Sequence, residues 1–354
     1  MISKYLLFPY YLTLKIRNSL YDKGSIKSVS HDIPVYCIGN VTVGGTGKTP
    51  MTELVVKELR NNYRVAVISC GYKRKGRGFK FVNAEDTARR VGDEALQIKR
   101  KFPDVAVAVD KDRNRAIEQL SALPEAVRPE VIILDDAFQY RKVAPAKNIM
   151  LVDYTRPIFK DELLPIGRLR DLPEQIRRAE TVVITKCPEY LDEWEREKMK
   201  ILTRTRHTQT VLFAKTKYNT PKAVFPEYGN NRYIYSKEVH LFSGIANDTP
   251  IRLQLSASYD HISHKSFGDH HRYTRLDINS LNRYAKKHPL TLLLTTEKDA
   301  QRLISCNHIS DDVKKRLYYL PIETEFLTTE ETGQFRDILK EGLPDKYVYT
   351  GLLF

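Results

Sequence analysis

Apolar residues recur along this chain in short β-branched runs, several of them followed by a stretch of helical spacing. The runs at 35–38, 64–69, 105–109 and 131–136 are almost continuously apolar. Such runs predict strands that a parallel sheet buries on both faces. Similar runs at 149–152, 182–185, 239–242, 292–295 and 317–320 predict five more strands. Between them, 51–60 places Leu54, Val55 and Leu59 on one helical face, and 191–203 and 279–287 also have helical character. Alternation of this kind predicts an α/β protein with mainly parallel sheets. A stretch rich in Pro, Gly, Asn and charge at 218–231 marks the boundary between two lobes. No internal repeat or low-complexity segment interrupts the pattern.

The first strand leads into Gly39-Asn-Val-Thr-Val-Gly-Gly-Thr-Gly-Lys-Thr-Pro50, and a helix follows. Strand, glycine-rich turn and helix in that order are the context of a phosphate-binding P-loop. The backbone of Thr42, Val43, Gly44, Gly45, Thr46 and Gly47 would wrap a phosphate with its N–H groups inward. Lys48 would reach the β- and γ-phosphates, and the Thr49 hydroxyl would bind Mg²⁺. Thr42 stands where the motif usually begins with glycine. Ordinary turn chemistry does not require Gly-Lys-Thr together.

Three further stretches carry candidate chemistry. Val131-Ile-Ile-Leu-Asp-Asp136 is an apolar strand ending in two aspartates, as in a Walker B element, so Asp135 and Asp136 are candidate Mg²⁺ ligands. Gly92-Asp-Glu94 opens a helix; its acids either complement the helix dipole or face the nucleotide, and pattern alone leaves both open. His261-Ile-Ser-His-Lys-Ser-Phe-Gly-Asp-His-His271 admits a metal site, a histidine acting with a carboxylate, or solvated loop histidines. The cationic loop Gly71-Tyr-Lys-Arg-Lys-Gly-Arg-Gly78 follows a strand on the P-loop side, which favours an anion over a merely solvated charge run.

At the N-terminus, an aromatic and aliphatic run between Lys4 and Lys15 is too short to span a bilayer, and Pro9 is expected to break any continuous helix there. Residues 1 to 22 either lie in a membrane interface, with Leu6, Leu7, Phe8, Tyr10, Tyr11 and Leu12 inward and Lys4, Lys15 and Arg17 toward headgroups, or form an arm on the protein's own core.

Composition narrows the picture. The 354 residues allow two domains, and 42% apolar residues exclude global disorder. Cys37, Cys70, Cys187 and Cys306 form no Cys-x-x-Cys pair, which fits free thiols and argues against a cysteine metal site. Lys and Arg number 58 against 44 Asp and Glu, a net charge of +14 that favours an anionic partner.

A guanine-reading Asn/Thr-Lys-x-Asp is absent: Thr185-Lys-Cys-Pro188 ends in proline and Thr296-Glu-Lys-Asp299 has the wrong order. Val43 stands where partitioning ATPases carry lysine, and no second recombinase-like lobe of helicase type is visible. What remains is a kinase using ATP on a small or lipid acceptor. The chain resembles the tetraacyldisaccharide 4′-kinases of Gram-negative bacteria nearly end to end. The resemblance rests on Asn18-Ser-Leu-Tyr-Asp-Lys-Gly24, the P-loop, Gly71-Tyr-Lys-Arg-Lys75, Gly92-Asp-Glu94 and Leu134-Asp-Asp-Ala-Phe-Gln139, and continues through Leu164-Pro-Ile-Gly-Arg-Leu-Arg170, Phe267-Gly-Asp-His270 and Thr296-Glu-Lys-Asp-Ala300. That family also carries Thr or Ser at the place of Thr42. Cys70, Ala137 and Tyr140 depart from its usual Arg, Gly and His.

The resemblance implies transfer of the ATP γ-phosphoryl group to the 4′-hydroxyl of a tetraacyldisaccharide 1-phosphate, giving lipid IVA. The competing expectation is a membrane-docked ATPase switch without a lipid acceptor. The resemblance also implies ATP and Mg²⁺ as cofactors, with Glu94 joining Thr49, Asp135 and Asp136 at the metal. It places the general base at Asp93 and a partner histidine at His270 rather than His271, with Lys48 also catalytic. The implied domains are a membrane-interface segment (1–30), a P-loop kinase core (31–217) and a smaller α/β lobe (218–354), with the site between lobes. The implied location is the cytoplasmic face of the inner membrane, on an anionic surface, with a lipid disaccharide partner, no nucleic acid and no obligate protein partner.

Overall fold

The structure, a computed structural model, describes residues 2–344, with side chains from residue 7 onward. Lys4 and Leu6 of the N-terminal expectation, and residues 345–354 of the expected C-terminal lobe, therefore lie outside the described side chains or residues.

The first lobe is built on strands β1 (Val35–Gly39), β2 (Val65–Ser69), β3 (Lys80–Phe81), β4 (Ala106–Val109), β5 (Val131–Asp135), β6 (Lys147–Asp153), β7 (Thr181–Thr185) and β8 (Thr210–Tyr218). The chain then forms a second sheet from β9 (Lys222–Ala223), β10 (Glu238–Ser243), β11 (His261–Ser266), β12 (Leu292–Thr296) and β13 (Leu317–Leu320). It returns with β14 (Ile322–Phe326) to complete a nine-stranded sheet of order β14-β8-β7-β6-β1-β5-β2-β4-β3. β1 pairs in parallel with β5 and β6, while β3 and β14 close the edges antiparallel. The second sheet runs β11-β10-β12-β13-β9, with only β9 antiparallel.

All five residues of β1, β2, β5 and β7 are buried, as their unbroken apolar runs predict. Alternate side chains feed two cores. Tyr36 and Ile38 pack with Met51, Val55 and Leu59 of the P-loop helix (Lys48–Leu59) and with Leu96 and Ile98 of the helix Asp93–Lys101. Cys37 and Leu134 face the other core, with Ile117, Phe138 and Leu14. The smaller sheet likewise separates two clusters, around Phe242 and Leu293 on one face and Leu241 and Leu294 on the other.

Three expectations need correction. The chain beyond residue 321 does not stay with the second lobe, because β14 pairs with β8 and the terminal helix Thr329–Lys340 packs Phe335 and Leu339 into the first core. β14 does not read clearly as a strand, because this edge strand carries charge on its open face, and the second half of β8 beside it is equally charged; Lys217 and Glu325 pair across them at 2.6 Å. Pro9 does not end the N-terminal helix, which runs unbroken over Ile2–Asp22. Its ring removes one helical hydrogen bond on an exposed face, where water can satisfy the carbonyl, while Leu7, Tyr10 and Leu14 hold the helix to the core from the other side. Finally, His261 and His264 lie on strand β11 rather than in a loop.

The returning helix gives a stability prediction. Phe335 is buried and packs on Phe326 with ring centroids 4.9 Å apart. Phe335→Ala should cost about 3–5 kcal/mol, read from the shift of a urea denaturation midpoint. A cost below about 1 kcal/mol would mean that the terminal helix is not part of this core.

Candidate active site

The P-loop leaves β1 at the C-terminal edge of the large sheet, where a parallel sheet places its ligands. Gly44 and Gly47 adopt φ of 97° and 85°, a region that side-chain-bearing residues rarely enter. Asn40 is fully buried beneath the turn; its Nδ2 donates to Thr42 Oγ1 at 3.1 Å and to Thr46 Oγ1 at 2.5 Å. Thr42 thus serves the loop through its hydroxyl, a tie that glycine could not supply. Thr185, at the end of β7, donates its hydroxyl to Thr46 O at 2.9 Å.

Asp135 and Asp136 emerge from β5 beside this loop. Asp136 lies 3.6 Å from Lys48 Nζ and is gripped by Arg170, whose Nη2 also donates to Asn40 Oδ1 at 2.7 Å. Burial alone would raise the Asp136 carboxyl, but Lys48 and Arg170 hold it below its ordinary value. Asp135 has the opposite balance. It is fully buried, and burial together with repulsion from Glu94 and Asp136 pushes its carboxyl up to about 7. Thr52 donates to its Oδ1 at 2.9 Å, while Oδ2 has no hydrogen-bond partner. An orphaned buried carboxylate oxygen among like charges fits a missing cation. Thr49 opens the adjacent helix, partly exposed. Among the described residues no group of three or more His, Cys, Asp or Glu could hold a metal ion unaided. The orphaned Asp135 oxygen with the Thr49 hydroxyl fits Mg²⁺, which keeps water and substrate phosphates around one or two carboxylates.

Asp93 begins its helix just after Gly92, whose φ of 93° lets the chain pass within 3.1 Å of Gly71 Cα where a Cβ would stand. Of the two meanings its acids carried, the structure shows more than a dipole partner. His270 Nδ1, from the second lobe, donates to Asp93 Oδ2 at 3.1 Å. Arg302 grips the same oxygen through Nε at 3.0 Å and through Nη2. Burial alone would raise the Asp93 carboxyl; the His270 hydrogen bond, Lys298 and Arg302 hold it well below the usual carboxylate range. Lys298 donates to Glu94 Oε1 at 2.8 Å and faces His270 Nε2 at 3.4 Å. His270 is itself in positive-φ conformation, tied by its N–H to Gly244 O at 3.0 Å, and Tyr72 of the cationic loop lies against its ring.

His271 is turned away, donating Nε2 to Asp277 Oδ2 at 3.0 Å and stacking on Phe267. The four clustered histidines are thus dispersed between β11, Asp93 and Asp277, and form no metal site among the described residues. Tyr140, the departure from histidine, donates its hydroxyl to Asp112 at 2.8 Å. Arg170, Lys298 and Arg302 went unassigned in the sequence. Arg170 and Lys298 fall inside recognisable motifs, but Arg302 follows its motif with nothing to mark it.

Residues 4–343 match the model of the Tetraacyldisaccharide-1-P 4′-kinase family. The chain belongs to that family. A tetraacyldisaccharide 4′-kinase of Parabacteroides distasonis is 40% identical over 341 residues, covering 94% of this chain and 91% of that protein. One from Bacteroides thetaiotaomicron is 40% identical over 337 residues, covering 91% and 88%. The crystal structure of LpxK from Aquifex aeolicus in complex with ATP superposes with a TM-score of 0.71 at 27% identity, covering 96% of this chain and 99% of that one. The family is one of kinases acting on a lipid disaccharide, so an ATPase switch without a lipid acceptor is set aside. No helix among the described residues is long and apolar enough to cross a membrane.

The raised Asp135 carboxyl has a measurable consequence. A folded-state value above the unfolded one means that the folded chain holds the extra proton, so its stability falls as pH rises from about 4 to about 7. Asp135→Asn removes this buried charge. It should raise the melting temperature of the nucleotide-free protein at pH 8 and much less at pH 5; equal shifts at both would show that Asp135 does not titrate there.

Proposed function

We propose that this chain transfers the γ-phosphoryl group of ATP to the 4′-hydroxyl of a tetraacyldisaccharide 1-phosphate, giving lipid IVA, in the cleft between its two lobes. The observation that carries the assignment of residues is the junction of Asp93 and His270 from different lobes beside the P-loop. Lys48 neutralises charge on the β- and γ-phosphates. Thr49 and Asp135 are the residues that would hold Mg²⁺, with the carboxylates of Asp136 and Glu94 as its charged surroundings, and the ion would supply charge neutralisation at the phosphates. Asp136 and Glu94 hold lysines in the meantime, at 3.6 Å from Lys48 and 2.8 Å from Lys298. A buried carboxylate paired with cations costs less than one left unpaired.

Asp93 accepts the proton of the attacking hydroxyl. A loose phosphoryl-transfer transition state asks little base strength, so a carboxylate kept ionised and correctly aimed suffices. His270 orients it by donating from Nδ1. Lys48→Ala should lower phosphoryl transfer by about 10³-fold or more with the fold intact, measured as label moved from γ-labelled ATP into the disaccharide lipid. Asp93→Asn should cut turnover strongly with an unchanged Mg²⁺ requirement, whereas Asp135→Asn should raise that requirement. Recovery of Asp93→Asn by excess Mg²⁺ would make Asp93 a metal ligand and move the base elsewhere.

The acceptor's acyl chains call for a membrane surface, and the N-terminal helix offers one. Leu14 and Asn18 face the core, while Phe8, Leu12, Ile16 and Leu20 form an exposed apolar stripe at four-residue spacing. The helix is thus both a packed arm and a free apolar face. Lys15, with Lys73, Lys75 and Arg77 of the cationic loop, supplies charge for anionic headgroups on the cytoplasmic side of the inner membrane. Replacing Phe8, Leu12 and Ile16 together by Ser should weaken sedimentation with anionic phospholipid vesicles by about tenfold or more while transfer to a detergent-dispersed acceptor persists. Undiminished sedimentation would leave the helix as a packed arm alone.

A further inference from the structure

The segment after Gly167 meets the P-loop at a single antiparallel bridge centred on Leu169, with the chain bending on either side of it. Val43 N donates to Arg168 O at 2.7 Å, Arg170 N donates to Val41 O at 2.8 Å, and Thr42 and Leu169 face each other as an antiparallel bridge. At such a bridge, alternate side chains share a face. Leu169 is buried among Leu163, Leu172 and Val41. Arg168 and Arg170 take the opposite face. Arg170 is engaged there through its terminal nitrogens, by Asp136 beside Lys48 and by Asn40. Arg168, one step further along the loop, has an exposed guanidinium with no hydrogen-bond or ion-pair partner among the described residues. Its Nη1 lies 3.6 Å from where a Cβ on Gly44 would stand.

We propose that Arg168 is an arginine finger supplied in cis: its guanidinium contacts the transferring γ-phosphoryl group of a nucleoside triphosphate held by the P-loop, a role that rests on the kinase assignment above. Three observations combine. First, Arg168 shares a face with Arg170, which reaches the carboxylate beside Lys48 at the γ-phosphate end of the loop. Second, the guanidinium lies over Gly44, a glycine in positive φ, with Nη1 in van der Waals reach of where a Cβ would stand, so it sits directly above the phosphate-binding turn. Third, its backbone is rigid: Arg168 N donates to Asp161 Oδ1 at 3.2 Å, Leu169 N to Glu162 O at 2.9 Å, and Tyr10 of the N-terminal helix donates to Arg170 O at 3.0 Å. A charged planar fork held ready in this way stabilises the charge of the transition state without reorganising at the moment of transfer. Lys48 meets the phosphates from the helix side; Arg168 closes them from the loop side.

The test separates binding of the ground state from binding of the transition state. Affinities for ADP alone, and for ADP with aluminium fluoride and Mg²⁺, are measured for the full chain and for Arg168→Ala and Arg168→Lys. Both variants keep the backbone bonds that tie the segment to the P-loop. Arg168→Ala should weaken the aluminium fluoride complex by about 100-fold or more and ADP by less than about threefold, in line with the scale on which arginine fingers act. Arg168→Lys, which keeps charge without the fork, should fall between. Parallel losses for both ligands, or none for either, would overturn the proposal. If wild type forms the tight complex but moves no label into the disaccharide lipid, the acceptor assignment fails while the inference stands.

Discussion

Buried carboxylates at one rim of the large sheet are the constraint on which this structure depends. Asp93 and Asp135 are removed from water and Asp136 is partly so, and each must be matched by a cation, a hydrogen bond or a proton. The protein answers differently each time. Asp136 is matched within the first lobe, by Lys48 and Arg170. Asp93 is matched from the second lobe, by His270 and Arg302. Asp135 is left with one unpartnered oxygen and a raised carboxyl. Breaking such a pair from one side leaves a buried charge that costs several kcal/mol, about 3–5. The Asp93 contacts therefore join the two lobes.

The same contact explains why the site needs two lobes. The first supplies the phosphate cradle, but the groups that orient Asp93 come from the loop at His270 and the helix Glu297–Leu303. That helix packs on the helix Asp93–Lys101, where Lys101 bridges Glu53 at 2.6 Å and Glu297 at 3.5 Å, and Arg100 donates to Gln301 at 2.8 Å. Burial, with Glu53 nearby, pushes the Glu297 carboxyl up to about 7. A polar junction of this kind can rearrange more readily than an apolar one, which suits a cleft that must admit a lipid acceptor.

The N-terminal helix links the cleft to the surface. Its buried face reaches the segment beside the P-loop, through Tyr10 to Arg170 O and Asn18 to Asp171 at 2.8 Å. Its outer face is apolar and exposed at Phe8 and Ile16. A single element thus connects an exposed apolar face to the loop that carries Arg168 and Arg170.

By itself the sequence determined the parts whose physics is local. Unbroken apolar runs specified the parallel strands, because a strand buried on both faces has no polar position to alternate. The glycine-rich turn before Lys48 and the paired aspartates after β5 were legible because phosphate and metal chemistry demand those residues close together in the chain. What only the tertiary structure decided depends on residues far apart in sequence. The edge strand β14 carries charge and no apolar run, so the return of the terminal helix to the first lobe was invisible. Pro9 remains helical because packing on one face outweighs a single lost hydrogen bond. Arg302 lies 209 residues from Asp93, and nothing in either neighbourhood announces the pair. Burial joined them, since a carboxylate taken out of water needs a cation from whichever part of the chain the fold brings within reach.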